Sequence, residues 1–240
     1  MLGRLLITGG TGTLGSHAVR MAIQSGVWSE VHATYRTANP NFHKVFWHYA
    51  DARNLILPML QKIGPQCIIH ALAMTSPDEC EKRKLDAWQI NVKAVNEIID
   101  YCNSHETRLI FTSSDQVFDG ETGNYRVDDV PHPVNFYGDS KWEAENEISE
   151  NLITKNHVIA RLGLMYGFNL NQRSNFFDTL CLALKNQTPV PLYGDQFRSM
   201  MSVVNTSECL LELAQNNYNG ILHVAGPEKI SRYEFGLRLA

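Results

Sequence analysis

A phenol and an ammonium stand four residues apart in Tyr137-Gly138-Asp139-Ser140-Lys141. On a helix that spacing is about one turn, so both side chains share a face. A free Tyr titrates near ~10, and a neighbouring cation favours the phenolate, which makes the pair a usable proton donor at neutral pH. Such a pair gains meaning only from company. Upstream, Ser113-Ser114-Asp115-Gln116 follows the apolar run 109–112. Hydroxyls at the carboxyl end of a parallel strand point into the ligand crevice of a doubly wound sheet. Nearer the start, Gly9, Gly12 and Gly15 recur at a spacing of three.

The surrounding pattern gives those glycines a context. An apolar run at 5–8, the Gly-rich turn, helical spacing over 16–25 and a second apolar run at 31–34 fit one βαβ unit. Gly9 permits the tight turn off the strand. Gly12 lets the backbone approach a pyrophosphate, and Gly15 allows close helix–strand packing. The helix N-terminus then offers free N–H groups and positive dipole to the anion. A bare flexible turn is the plainer reading. At the end of the second strand, about 20 residues past the turn, a carboxylate would accept the ribose hydroxyl of NAD. The chain has Thr34-Tyr35-Arg36 there, and an Arg pairs instead with a 2′-phosphate. NADP is the expected cofactor, with NAD tolerated if Arg36 is only a surface residue.

Further strands are expected at 45–49, 66–70, 109–112, 158–161 and 221–224, and helices at 52–60, 77–102, 142–151, 176–185, 203–214 and from 226 onward. The fold class is α/β: a Rossmann-type doubly wound parallel sheet with a small C-terminal substrate lobe. Residues 1–165, with 203–225 returning, make the dinucleotide-binding part. Residues 166–202 and 226–240 make the lobe.

Composition narrows the partners. The 240 residues carry a net charge of -4, which gives no basic footprint for nucleic acid. No apolar run approaches the ~18 residues of a membrane span, and the first residues lack a signal-peptide pattern. Five widely spaced Cys without a Cys-x-x-Cys suit a reduced, cytoplasmic setting. Nine His show no ligand spacing, so no metal site is expected.

The Thr8-Gly9-x-x-Gly12-x-x-Gly15 turn, the 113–120 segment and Tyr137-x-x-x-Lys141 resemble the extended short-chain dehydrogenase/reductase family. Tyr125, Asp128, Pro131, Pro133, Asn135 and Gly138 bring the likeness closest to sugar-nucleotide reductases of the dTDP-4-dehydrorhamnose reductase type. The resemblance implies a catalytic set of Ser114, Tyr137 and Lys141, with Asn91 holding a helix kink and a water of the proton relay. A solvent-facing Asn91 is the plainer alternative. It implies cofactor contacts from Gly9, Thr11, Gly12, Thr13, Leu14 and Gly15, then Arg36, Asp51 and Ala52. Ala71, Leu72 and Ala73 resemble the family's small turn, and Ser113, Leu162, Gly163 and Leu164 flank the nicotinamide. Asp51 could instead cap the following helix. Asp115, Gln116, Arg173 and Arg198 are the substrate-side candidates. The family also continues past position 240, which makes an incomplete lobe the expectation.

On this likeness Lys141 holds the nicotinamide ribose and lowers the Tyr137 pKa, Ser114 binds the substrate carbonyl, and Tyr137 gives it a proton. The activity implied is NADPH-dependent reduction of a keto group on a nucleotide-linked deoxy sugar. Gln116 stands where dehydratases of the family have a carboxylate, and an amide is no base. An epimerase shares the Ser-Tyr-Lys set and stays open, as does a homodimer. The regulatory β subunit of methionine adenosyltransferase also resembles these reductases and binds NADP structurally. The intact Ser114–Tyr137–Lys141 set favours an enzyme.

Overall fold

Leu5, Leu6 and Ile7 have no solvent exposure, and neither do Ile68, Ile69, Leu109, Ile110 or Phe111. Strands buried on both faces are the signature of a parallel sheet covered by helices. The computed structural model of the chain describes residues 1–37, 42–171 and 175–240. The first part runs β1 (Leu2–Thr8), α1 (Thr13–Ser25), β2 (Trp28–Tyr35), β3 (Phe46–Tyr49), α2 (Leu57–Ile63) and β4 (Cys67–His70). Then come α3 (Pro77–Lys82), α4 (Lys84–Trp88), α5 (Ala94–His105), β5 (Arg108–Ser114), α6 (Phe136–Asn151) and β6 (His157–Leu162). The last part runs β7 (Met165–Tyr166), α7 (Phe176–Lys185), β8 (Phe197–Arg198), β9 (Met201–Ser202), α8 (Val203–Gln215), β10 (Gly220–Val224), β11 (Ile230–Ser231) and α9 (Arg232–Leu239).

Seven strands form one parallel sheet in the order β10-β6-β5-β4-β1-β2-β3. One apolar cluster joins α1 and α8 to one face through Ala18, Val19, Leu210 and Leu211. A second joins α2, α5 and α6 to the other through Leu60, Ile98, Ile99 and Ile148. The strand order reverses between β1 and β4, and a crevice opens beyond the carboxyl ends of the strands at such a point. A smaller cluster of Leu180, Met200, Ile230 and Phe235 gathers α7, α9 and the β8–β11 pair beside it.

Arg108 ties the far end of the sheet together. Its guanidinium donates to the backbone oxygens of Leu213 and Tyr218 and to the side chains of Asn156 and Asn219. A buried cation is tolerable only when its donors are matched in this way.

Four helix expectations change, the last being the helix expected from 226 onward, which begins only at Arg232 because Ile230–Ser231 first pair with β8. The helix expected from 52 begins at Leu57, because Pro58 is accepted only in a first turn. Its free N–H groups at Ile56 and Leu57 donate to Glu97, reaching over from α5. The mostly helical stretch expected over 77–102 breaks at Arg83, which leaves helical dihedrals between α3 and α4, and a π turn, Gln89–Lys93, joins α4 to α5. The helix expected from 142 starts at Phe136, where the Asn135 side chain accepts from Gly138 N at 2.9 Å. That earlier start puts Tyr137 and Lys141 on one regular helix. Among the described residues no helix is long and apolar enough to cross a membrane.

Candidate active site

The crevice is a cleft of about 1240 Å³ running from the Gly-rich turn to the smaller lobe. At one end Gly9 adopts a φ of +68°, and a Cβ on Gly15 would come within 2.2 Å of Gly9 O. Only glycine fits either position. Gly12 caps α1 without any side-chain bond, so the N–H groups of the first turn keep their capacity for an anion. Thr13 Oγ1 accepts from Asn169 and Asn175, which brings the polar loop ahead of α7 onto this turn.

Thr11, Gly12, Thr13 and Leu14 line the cleft here, and Arg36, Asp51 and Ala52 line the next section. Asp51 does not cap α2. Its carboxylate is gripped by Arg53, with Nε at 2.9 and 3.1 Å, and that ion pair holds Asp51 at about 2. Arg53 also lines the cleft and was not expected; an Asp-x-Arg after a strand was the available signal. Ala71, Leu72 and Ala73, with Leu162, Gly163 and Leu164, form the walls at the ends of β4 and β6.

Ser113, Ser114, Tyr137 and Lys141 meet in the middle. Ser114, Tyr137 and Lys141 are 6%, 8% and 1% exposed. Ser114 Oγ lies 3.3 Å from Asp115 Oδ1 and accepts from Gln116 N. Burial pushes the Tyr137 phenol well above its ordinary range, and a hydrogen bond with Ser114 opposes only part of that rise. Burial also pushes the Lys141 ammonium down to about 7, against the pull of Glu145. The ammonium lies 4.0 Å over the Phe111 ring. The expected lowering of the Tyr137 pKa by Lys141 does not hold here: burial raises the phenol, only the Ser114 hydrogen bond opposes it, and Lys141 is itself pushed down to about 7.

Asn91 stands elsewhere. It is 1% exposed and forms no part of the cleft lining. Its amide is spent on Met74 N, Met74 O and Ser140 Oγ at 2.8, 3.1 and 2.9 Å. It sits in the π turn and braces the segment after β4 against α6. It is neither solvent-facing nor a group that touches the cleft. His70 is likewise a strand-end residue, bonded to Thr8 at 2.8 Å and driven down to about 3 by burial.

On the lobe side, Asp115 faces Arg198 at 3.8 Å, each about a third exposed. Desolvation raises the Asp115 pKa although part of the side chain reaches the cleft. Gln116 accepts from Asn135 Nδ2 at 3.2 Å. Arg173 lies outside the described residues. A second cation appears that was not expected: Arg232, at the start of α9, lines the cleft and stacks on Phe176 at 4.1 Å. Burial lowers its pKa, and the charge of its neighbour Arg198 adds to that. Two arginines kept close against repulsion suit an anionic ligand. Among the described residues no group of three or more His, Cys, Asp or Glu could hold a metal ion.

A doubly wound sheet with a glycine-built anion cradle and a buried Ser-Tyr-Lys cluster at its switch point defines a nucleotide-binding α/β protein. The chain belongs to the family described as RmlD substrate binding domain, whose model matches residues 3–240. It is 30% identical over 246 residues to methionine adenosyltransferase 2 subunit beta of Bos taurus, covering 99% of this chain and 71% of that one. A hypothetical dTDP-4-dehydrorhamnose reductase from Sulfolobus tokodaii superposes with a TM-score of 0.86 at 31% identity, over 98% of this chain and 81% of that one. The dTDP-4-dehydrorhamnose reductase of Bacillus anthracis in complex with NADP gives 0.82 at 25% identity, over 100% and 80%.

Proposed function

We propose that this protein reduces a keto group on a nucleotide-linked deoxy sugar, with NADPH as reductant. The observation that carries this reading is the meeting of Ser114, Tyr137 and Lys141 in one cleft with the glycine cradle. The cradle suits a pyrophosphate, since Gly9 and Gly15 leave no room for a Cβ and α1 has no side-chain cap. Arg36 lines the cleft past the end of β2, where a guanidinium would pair with a 2′-phosphate, which favours NADP with NAD as the lesser option. The NADP complex of the Bacillus anthracis relative supports the same assignment. Residues 1–165 with 203–225 hold the cofactor, and residues 166–202 with 226–240 hold the nucleotide sugar, Arg198 and Arg232 taking its phosphates.

Each side chain has a task. Lys141 would hold the nicotinamide ribose, whose hydroxyl oxygens would accept from its ammonium and offset its desolvation. Ser114 donates to the carbonyl oxygen, which becomes an alkoxide during reduction. Tyr137 passes its proton to that oxygen; its raised pKa keeps the phenol protonated until the oxygen takes on charge. The bound cofactor supplies the hydride and, once oxidised, a positive ring that favours proton loss.

A second reading rests on the Bos taurus relative, which is named as a subunit, beta, of methionine adenosyltransferase 2. On that reading the nucleotide is structural. A panel of keto-sugar nucleotides separates the two: purified protein is expected to oxidise NADPH with a 4-keto-6-deoxy sugar nucleotide. Tight NADPH binding with no oxidation across the panel rejects the enzyme and favours the binding subunit.

A further inference from the structure

Tyr137, Lys141 and Glu145 stand one turn apart on α6, and Glu145 is 2% exposed. The proposed chemistry uses the first two. Glu145 does not line the cleft; its carboxylate points into the sheet. Ser113 donates to Oε1, Arg161 Nε donates to both oxygens at 3.1 Å, and Arg161 Nη2 donates to Oε2 at 2.7 Å. Ser113 and Arg161 are register partners on β5 and β6, and Ser113 immediately precedes Ser114. Arg161 reaches further, to Val127 O at 3.3 Å and across the Phe118 ring at 5.1 Å. One buried carboxylate thus joins the helix carrying Tyr137 and Lys141 to the strand carrying Ser114.

Stability alone does not call for this arrangement. A buried ion pair is often matched or bettered by apolar side chains of similar volume. What a guanidinium fork adds is direction, because two parallel hydrogen bonds fix both distance and angle. We propose that the Glu145–Arg161 pair is a positioning element that locks α6 against β5 and β6 and holds the Lys141 ammonium where a nicotinamide ribose meets it. The inference rests on the functional reading above. The charged and titratable groups around Lys141 are few: Tyr137 and Glu145 one turn away on its own helix, neutral His70 on β4, and Arg161 on β6 behind Glu145. Removing the carboxylate takes away the charge that opposes desolvation of Lys141 and leaves the buried Arg161 without its carboxylate partner.

The test is NADPH binding by the full chain, titrated by fluorescence from about pH 6 to 10, with thermal unfolding alongside. Wild-type affinity is expected to weaken as pH rises and Lys141 loses its proton. In Glu145→Gln the midpoint should fall by about one pH unit, a roughly tenfold weaker affinity in the basic range. The double variant Glu145→Met/Arg161→Met leaves no unpaired charge. It should melt at or above the wild-type temperature while keeping the lowered midpoint. A double variant with wild-type affinity and midpoint overturns the proposal, and so does one that fails to fold, since the pair would then be structural. If Glu145→Gln does not fold, the double variant decides. Wild-type protein that binds neither NADPH nor NADH removes the functional reading instead, and this inference with it.

Discussion

The two ends of the cleft are built on opposite principles. At the reaction end, Ser114, Tyr137 and Lys141 are almost wholly buried and are backed by Phe111 and the Glu145–Arg161 pair. At the lobe end, Arg198 and Asp115 are each about a third exposed, and Tyr193 is 58% exposed. The dry end moves both titrations away from where water would set them: a phenol pushed up and an ammonium pushed down to about 7. The wetter end holds two neighbouring arginines, Arg198 and Arg232, that line the cleft. Charges act strongly where water is excluded and weakly where it is not. The reaction end is therefore organised before a ligand arrives, whereas the lobe end can adapt to one.

The largest effect is expected at the dry end. Tyr137→Phe should lower turnover by about 10²–10⁴-fold and leave the NADPH dissociation constant within about threefold. A variant turning over near the wild-type rate breaks the assignment. Lys141→Met comes next and acts in two directions. It should weaken NADPH binding by roughly 10–100-fold, the cost of a lost charged hydrogen bond. It should also stabilise the free protein at neutral pH by about 1–3 kcal/mol, because an ammonium no longer has to be desolvated. The pH dependence carries its own sign. The folded-state value of about 7 lies below the reference 10.5, so between them the unfolded chain binds more protons. Wild-type stability should then climb with pH from about 7 toward 10.5, and thermal unfolding of the variant should lack that climb.

At the lobe end, Arg198→Ala should raise the KM for a nucleotide sugar about tenfold, with NADPH affinity and melting temperature unchanged. If it moved the melting temperature as far as Lys141→Met does, the contrast between the two ends would fail. The smallest effect is at Arg36. Arg36→Ala should reduce the preference for NADPH over NADH by roughly tenfold, read from paired titrations. An unchanged ratio would shift the selection to Arg53, which lies in the same section of the cleft.

Much of this was legible before any coordinates. The glycine spacing was, because each glycine answers a demand made within a few residues. The Tyr137–Lys141 pair was, because one helical turn is a local fact. Arg232 was not, since a lone Arg in a polar stretch has no period to betray it; it faces the cleft only because α9 folds back beside β8. The start of α6 was misplaced because Asn135 gives a cap signal that Pro131 and Pro133 just upstream obscure.

By itself the sequence determined a strand, a glycine turn and a helix, and a phenol and an ammonium on one face, all set by interactions between near neighbours. Only the tertiary structure decided how far burial shifts those two groups, that Asn91 is a brace, and that Glu145, Ser113 and Arg161 meet. Those depend on the register of β5 against β6 and the seating of α6 upon them. That geometry is fixed by packing between distant segments, and no local spacing encodes it.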